Sequence, residues 1–343
     1  MLWAEHVAKN TARDRDDIAD EVMQHFSDAE FVELTAVSGL FGQSNRFQDS
    51  MRLPIEDAHE VDKIKTSVRT DPAKLKAYLE RILECWPRDF PRTPAVRPVS
   101  STNALPRGEA RPCRVPLIHA NGAGADTACF ITTASALLGA TTNAIKVWAH
   151  TPHVAKMFVP FFFAFERDGA GSILPAPLRL MILLKTHHMH NARYLLAHHT
   201  ALGRAAGLSE SQLAALSHAD AATSSEFSLP ERAAIAWAAQ VAPNIAKRND
   251  AGFDELKKYF NPAEVVEITA LCAITSNADL IYNALRVPAE PDADIMALCP
   301  RVAVDPARLR RYLEQIIADW PTEWPRIDAG PSVPRAYSFA KTM

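Results

Sequence analysis

The chain repeats itself, and the repeat limits its fold more than any other feature. Residues 1–92 fall without a gap on the C-terminal part at an offset of 234. WAEHVAKNTA (3–12) lies on WAAQVAPNIA (237–246), and HFSDAEFVELTA (25–36) lies on YFNPAEVVEITA (259–270). TDPAKLKAYLERILECWPRDFPR (70–92) lies on VDPARLRRYLEQIIADWPTEWPR (304–326). Register held over such a length records a duplication, and both copies should adopt one local fold. The copies are unequal, because only the second follows a long segment, 115–235. The expected organisation is a half-unit at 1–92, a Pro-rich linker at 93–114, a complete unit at 115–330 and a tail at 331–343.

The local patterns are helical. FVELTAVSGLFGQSNRFQDSM and VVEITALCAITSNADLIYNAL carry apolar residues at helical spacing. Ser228 precedes Leu229-Pro230 with Glu231 three residues on, an N-cap with an early Pro and a capping-box acid. Asp71-Pro72 and Asp305-Pro306 open two further helices in the same way. Alternating strand patterns are absent, so the expected class is all-α.

THHMHNARYLLAHHTALGRAAGLS (186–209) holds five of the twelve histidines. Helical periodicity runs from Pro177 to Ala206 and predicts one helix ending at Gly207, with Ser209 and Gln212 boxing the start of the next. On one helix His188 and His199 would share a face about 16 Å apart along the axis, too far for a common metal ion. His187 and His190, one turn apart, suit a divalent metal completed by His198, His150, His153 or a carboxylate.

YLLAHHTALGRAAGLS (194–209) leading into a capped helix, with DAEFVELTA…NRF at 28–47 and a less full copy at 262–281, resembles the carboxymuconolactone decarboxylase and AhpD-like alkylhydroperoxidase superfamily. The resemblance covers most of 1–92 and 145–326 and implies an AhpD-like helical bundle, partly duplicated, with pockets between helices and homo-oligomers as the rule. The peroxidase branch carries a Glu, a CxxC pair and a His; here the His falls on His199, the cysteines on Ala192 and Leu195, and the Glu near Leu180. Thiol chemistry needs a thiolate and a resolving partner, and Ala and Leu supply neither, so CxxC peroxidase activity is not expected. Other cysteine-free members keep an acid four positions before that His, where this chain has Leu195. His199 is therefore the residue the resemblance offers as general acid or base, which suits an imidazole at neutral pH. Arg193, Tyr194 and Lys185 are the candidates for holding an anionic substrate. Asn45 and Arg46, replaced by Asp279 and Leu280 in the second copy, are candidates for a role across the repeat.

Composition closes off other classes. A formal charge of −3 leaves no basic footprint for nucleic acid. No apolar run of about eighteen residues is expected to span a membrane, the longest candidate being MFVPFFFAF (157–165), whose aromatic side chains belong in the core or an oligomer contact. Five scattered cysteines without CxxC spacing fit a reducing compartment, and no secretory leader is evident, so a cytoplasmic location is the expectation. No phosphate loop, dinucleotide fingerprint or GxSxG elbow occurs. The first functional expectation is a metal-free acid–base lyase, such as a decarboxylase, or an isomerase, acting on a carbonyl- or carboxylate-bearing metabolite without a cofactor. The alternatives are a metal-dependent enzyme built on His187 and His190, or a non-catalytic scaffold or binding protein.

Overall fold

A computed structural model describes residues 1–64, 71–87, 103–107, 111–298 and 304–324. Among these residues there are helices and no strand. The N-terminal helices are α1 (Leu2–Ala8), α2 (Asp16–Met23), α3 (Asp28–Met51), α4 (Ala58–Ile64) and α5 (Pro72–Glu84). The middle of the chain forms α6 (Ala125–Leu138), α7 (Asn143–Trp148), α8 (Pro152–Glu166), α9 (Ala176–His190), α10 (Arg193–Ala206) and α11 (Glu210–Leu216). Then follow α12 (Leu229–Val241), α13 (Asp250–Lys257), α14 (Pro262–Leu285), α15 (Asp292–Ala297) and α16 (Pro306–Ala318).

The predicted caps are where the sequence placed them. Asp71 and Asp305 accept from Ala73 N–H and Ala307 N–H, each at 2.9 Å. Glu231 accepts from Ser228 N–H at 2.7 Å, and Gln212 accepts from Ser209 N–H at 3.1 Å. Gly207, with φ 99°, closes α10. Each satisfies a donor or carbonyl that a helix end would otherwise leave open.

Residues 234 apart make matched contacts. Trp3 Nε1 donates to Thr35 at 3.0 Å, and Trp237 Nε1 donates to Thr269 at 2.9 Å. The same correspondence holds across the line where α3 lies along α14. Asn277 donates to Gln43 at 3.0 Å, so two equivalent positions meet each other. Asn283 donates to Asn10 and Asn244 to Asp49, both at 3.1 Å. Arg52 and Arg286 end α3 and α14 in the left-handed region, at φ 51° and 57°. Arg52 then donates to Lys247 O at 2.7 Å, while Arg286 donates to Arg13 O at 2.9 Å. Reciprocal pairs of this kind are what a two-fold relation between two similar surfaces produces. Close approach of the two long helices needs Gly39, where a Cβ would meet Asn277 Oδ1 at 2.5 Å.

One expectation changes. The segment Pro262–Leu285 is long and apolar enough by composition to cross a membrane, contrary to the reading that no run was. Its apolar window is 78% buried inside the fold, where α14 packs between α3 and α9 as a central core helix. In the expected linker Leu105 is 4% exposed and Arg114 donates to Ala284 O at 2.9 Å, while Asn103, Ala104, Arg107 and Pro112 are exposed. Residues 93–102, 108–110 and the expected tail at 331–343 lie outside the described residues.

Candidate active site

The histidine segment is two helices, not one. Asn191 takes φ 50°, its N–H donates to His188 O at 3.2 Å, and Ala192 N–H donates to His187 O at 2.9 Å. This is a Schellman ending with Asn in the left-handed position, which Asn tolerates better than most residues. The chain turns at Ala192 and α10 runs back against α9. The 16 Å spacing expected for a straight helix therefore does not apply. The turn brings His187 and His199 edge to edge, with ring centroids 4.8 Å apart and planes only 15° apart.

The hydrogen-bonded pair forms the middle of a polar chain through the core. Asp279 Oδ1 on α14 lies 2.7 Å from His187 Nδ1, His187 Nε2 lies 2.5 Å from His199 Nδ1, and His199 Nε2 lies 3.7 Å from Glu166 Oε2 at the end of α8. His187 and Asp279 are fully buried and His199 is 1% exposed. Burial favours the neutral form of each group. It raises the Asp279 carboxyl to about 6, against a partial opposing pull from His187. It lowers the His199 imidazole to about 4, against a partial opposing pull from Glu166. Burial also works against the Glu166 carboxylate, but His199, Arg167 and His187 outweigh it and hold Glu166 below the ordinary carboxylate range. Asp279 Oδ2 is buried and has no hydrogen-bond partner among the described residues.

The outer end of this chain opens on a cavity of about 110 Å³ between α6, α7, α8, α10 and α14. Phe158, Phe162, Phe163, Ile145 and Trp148 give it an apolar wall, and Glu166, Arg167, His198 and His199 a polar end. A cavity of ~150 Å³ accepts a benzene molecule, so this one suits a small compound or the reacting end of a larger one. Arg167 lies over the Phe163 ring at 5.4 Å, placing a cation on the polar side.

The other candidate residues divide sharply. Tyr194 lines the cavity and donates to Glu290 Oε1 at 3.2 Å. His198 also lines it, with Nε2 at 2.6 Å from Glu290 Oε2. His190 lies 5% exposed with Nε2 at 3.0 Å from Ser276 Oγ. Ser276 donates its own proton to Cys272 O at 2.8 Å, so His190 is the donor at Nε2. Burial together with Arg46 and His187 lowers the His190 imidazole to about 3. His187, His190 and His198 thus point to three different partners rather than to a common point. Among the described residues no group of three or more His, Cys, Asp or Glu is placed to hold a metal ion.

Lys185 is not at the cavity. It is 2% exposed and donates to His218 O at 2.7 Å, where its charge caps the carbonyls beyond α11. Arg193 lies next door, in a second cavity that shares Tyr194 with the first. His150 and His153 face a separate apolar groove, beside Met157 and Phe161. The aromatic run of α8 serves two surfaces: Phe163 is buried at 4%, while Phe161 is 40% exposed toward that groove. Of the two first-copy candidates, Asn45 is exposed. Arg46 is buried, donates to Ala242 O at 2.7 Å, and lies near enough for its charge to act on Asp279 and His190.

Sequence reasoning missed Glu166, Arg167, Glu290 and the role of Asp279. Two signals were present. Glu166-Arg167 is a charged pair set directly after the aromatic run, and Asp279 is an acid where the first copy has Asn45.

No protein-family model and no curated protein matches the chain. Among solved structures the chain is similar to an alkylhydroperoxidase AhpD core, an uncharacterised peroxidase-related protein from Ralstonia eutropha JMP134. That match has 19% identity over 55% of this chain and 96% of that one, with a TM-score of 0.46. It is also similar to the apo form of the debrominase Bmp8, at 21% identity over 56% and 92% of the two chains, with a TM-score of 0.39. A cysteine-to-alanine form of Bmp8 in complex with 2,3,4-tribromopyrrole matches at 21% identity over 64% and 99%, with a TM-score of 0.41. Likeness at this level says nothing about activity.

Proposed function

We propose that the protein is a divergent relative of the carboxymuconolactone decarboxylase and AhpD-like proteins that works as an acid–base enzyme. Its reaction is of the lyase or isomerase kind, on a small carbonyl- or carboxylate-bearing metabolite. The observation that carries this reading is the buried chain Asp279–His187–His199, which ends beside Glu166 on a cavity wall.

The chain has two neutral-imidazole arrangements that differ by one proton. In the basic form Asp279 is ionised and accepts from His187 Nδ1–H. His187 Nε2 accepts from His199 Nδ1–H, and His199 Nε2 presents a lone pair toward the cavity. A proton taken from substrate at His199 Nε2 displaces the Nδ1 proton to His187 Nε2, and the His187 Nδ1 proton passes to Asp279. In the acidic form Asp279 is a neutral acid and His199 Nε2–H is ready to return a proton. Asp279, at about 6, is suited to be the reservoir, because it changes state near neutral pH without an imidazolium being made in the core. The 3.7 Å gap between His199 and Glu166 exceeds a hydrogen bond, which leaves His199 Nε2 open to a substrate atom while the anionic Glu166 favours its protonated state. Arg167 is placed to stabilise negative charge developing on a carbonyl or carboxylate oxygen.

Two sites at which a thiol peroxidase would carry cysteine are Ala192 and Leu195, and Cys272, near Thr186, has its thiol pushed up to about 12 by burial. Both features weigh against thiolate chemistry.

The test needs no product to be known in advance. Small keto acids and carboxylated lactones are incubated with the protein in deuterated water, and hydrogen–deuterium exchange next to the carbonyl, or loss of the carboxyl group, is followed by NMR. The wild type should catalyse exchange or decarboxylation of some member, and His199→Ala should lower the rate by about 10²-fold or more. Turnover that His199→Ala leaves unchanged refutes the role of His199.

A further inference from the structure

The acid–base cavity has a second histidine that the relay does not use. His198 sits one residue before His199 on α10, and both line the cavity. Its Nε2 lies 2.6 Å from Glu290 Oε2, and both residues are buried. Glu290, in the stretch between α14 and α15, also accepts from Tyr194 O–H at 3.2 Å and from Asn143 N–H. Burial works against the Glu290 carboxylate, but His198 and the Asn143 N–H outweigh it and hold it below the ordinary carboxylate range. An ionised carboxylate can only accept, so the proton between Glu290 and His198 belongs to His198 Nε2.

Nδ1 is then the ring nitrogen of His198 that can exchange a proton with a guest. It makes no hydrogen bond among the described residues, and it is not sealed in the core, so it reaches open space where His198 lines the cavity. A proton accepted at Nδ1 makes the ring a cation whose charge the adjoining Glu290 offsets, the part a carboxylate plays behind a catalytic histidine. His199 works differently, because its relay carries the proton on toward Asp279. Consecutive helix residues point about 100° apart, so the two nitrogens reach a guest from different sides. The repeat does not impose this pair. The first copy has the equivalent acid, Glu56, but nothing equivalent to α10, and Glu56 is exposed.

We propose, resting on the acid–base function proposed for the same cavity, that His198 is a second catalytic residue, a general acid at Nδ1, and that the reaction is a proton shift along an unsaturated ketone. His199 Nε2 takes a proton from the carbon between the carbonyl and the double bond, and the electron pair of that C–H bond spreads into a dienolate. The terminal π pair of the dienolate then takes the proton from His198 Nδ1–H, forming the new C–H bond as the conjugated double bond and the carbonyl are made. One C–H bond breaks and one forms, nothing is oxidised or reduced, and no co-reactant is consumed. The relay ends one proton richer and His198 one poorer, and exchange with water restores both. Glu290 is a positioning residue, because it fixes the tautomer of His198. The apolar wall of Phe158, Phe162 and Trp148 suits the hydrocarbon part of such a ketone better than it suits a second charge.

Allyl methyl ketone in deuterated water, followed by NMR, separates the two steps. Deuterium entering between the carbonyl and the double bond reports His199 alone, and methyl propenyl ketone formed reports both histidines. The wild type should do both, with deuterium at the newly protonated carbon. His198→Gln should lower the ratio of isomer formed to deuterium exchanged by about tenfold or more, and Glu290→Gln should lower it in the same direction. Damage to the fold would lower both rates and leave the ratio unchanged. A ratio unaltered in His198→Gln overturns the proposal, as does a wild type that exchanges without isomerising, and the acid–base reading survives either result. A wild type that neither exchanges nor decarboxylates any of the ketones and acids tried overturns both. NMR of labelled imidazole nitrogens gives a check that needs no substrate. Neutral His198 should carry its proton on Nε2, and a neutral Nδ1–H form overturns the assignment.

Discussion

Replacing Asp279 by asparagine probes the polar chain at its buried end, and the structure supplies the magnitude. The Asp279 carboxyl rises from 3.8 to about 6 on folding because burial penalises its charge. At about 1.4 kcal/mol for each tenfold in affinity for the proton, the full effect is about 3 kcal/mol. A folded-state pKa raised above the unfolded value adds stability that is complete below 3.8 and is lost as pH rises through about 6. The asparagine would not titrate, so the variant would lack this loss. Its side-chain oxygen would still accept from His187 Nδ1–H. Its amide nitrogen would occupy the place of Oδ2, which has no partner among the described residues, at a cost of ~1–3 kcal/mol that does not depend on pH. The difference in unfolding free energy, Asp279→Asn minus wild type, should therefore be negative near pH 4 and become more positive by about 2 kcal/mol near pH 8. Urea unfolding followed by tryptophan fluorescence at a series of pH values measures it. A difference that stays flat across the range would show that Asp279 is not a strained buried acid, and the reservoir argument would fail.

Two further perturbations test the frame that holds the site. Asn191→Ala keeps the turn between α9 and α10 but puts a Cβ without a compensating polar group in the left-handed region, and should cost about 1 kcal/mol of unfolding free energy, whereas Asn191→Gly should cost less or nothing. Gly39→Ala places a methyl 2.5 Å from Asn277 Oδ1 and 2.8 Å from Ile281, so it should separate α3 from α14 and destabilise by about 1–3 kcal/mol, read as a lowered urea midpoint.

The architecture was legible because it is written locally. Caps such as Asp305-Pro306 and Ser228-Glu231 need only neighbours within one turn, and the offset of 234 tied distant segments to one another without any structure. The site was legible only in part. His199 and Tyr194 line the cavity, while the reading of one straight helix, which set His188 and His199 three turns apart, gave no sign that His187 meets His199. Unbroken apolar periodicity outweighed the one local sign of a turn, an Asn able to take positive φ at 191. Lys185 was misplaced for a different reason. A lysine on an apolar helix reads as a free charge, and only the packed structure shows its ammonium spent on carbonyls beyond α11. The acids were the hardest to see. Asp279 meets His187 across 92 residues and Glu290 meets His198 across the same separation, and no local pattern encodes such a contact.

The central claim is that His187 and His199 carry one proton between Asp279 and the cavity. NMR of isotopically labelled imidazole nitrogens tests it most directly. The account predicts that both rings change tautomer together, in one transition centred where Asp279 titrates, at about 6, with His199, lowered to about 4 by burial, staying neutral there. In Asp279→Asn both tautomers should be fixed across the same range. Independent titrations of the two rings, or a transition that survives in Asp279→Asn, would contradict a shared proton path.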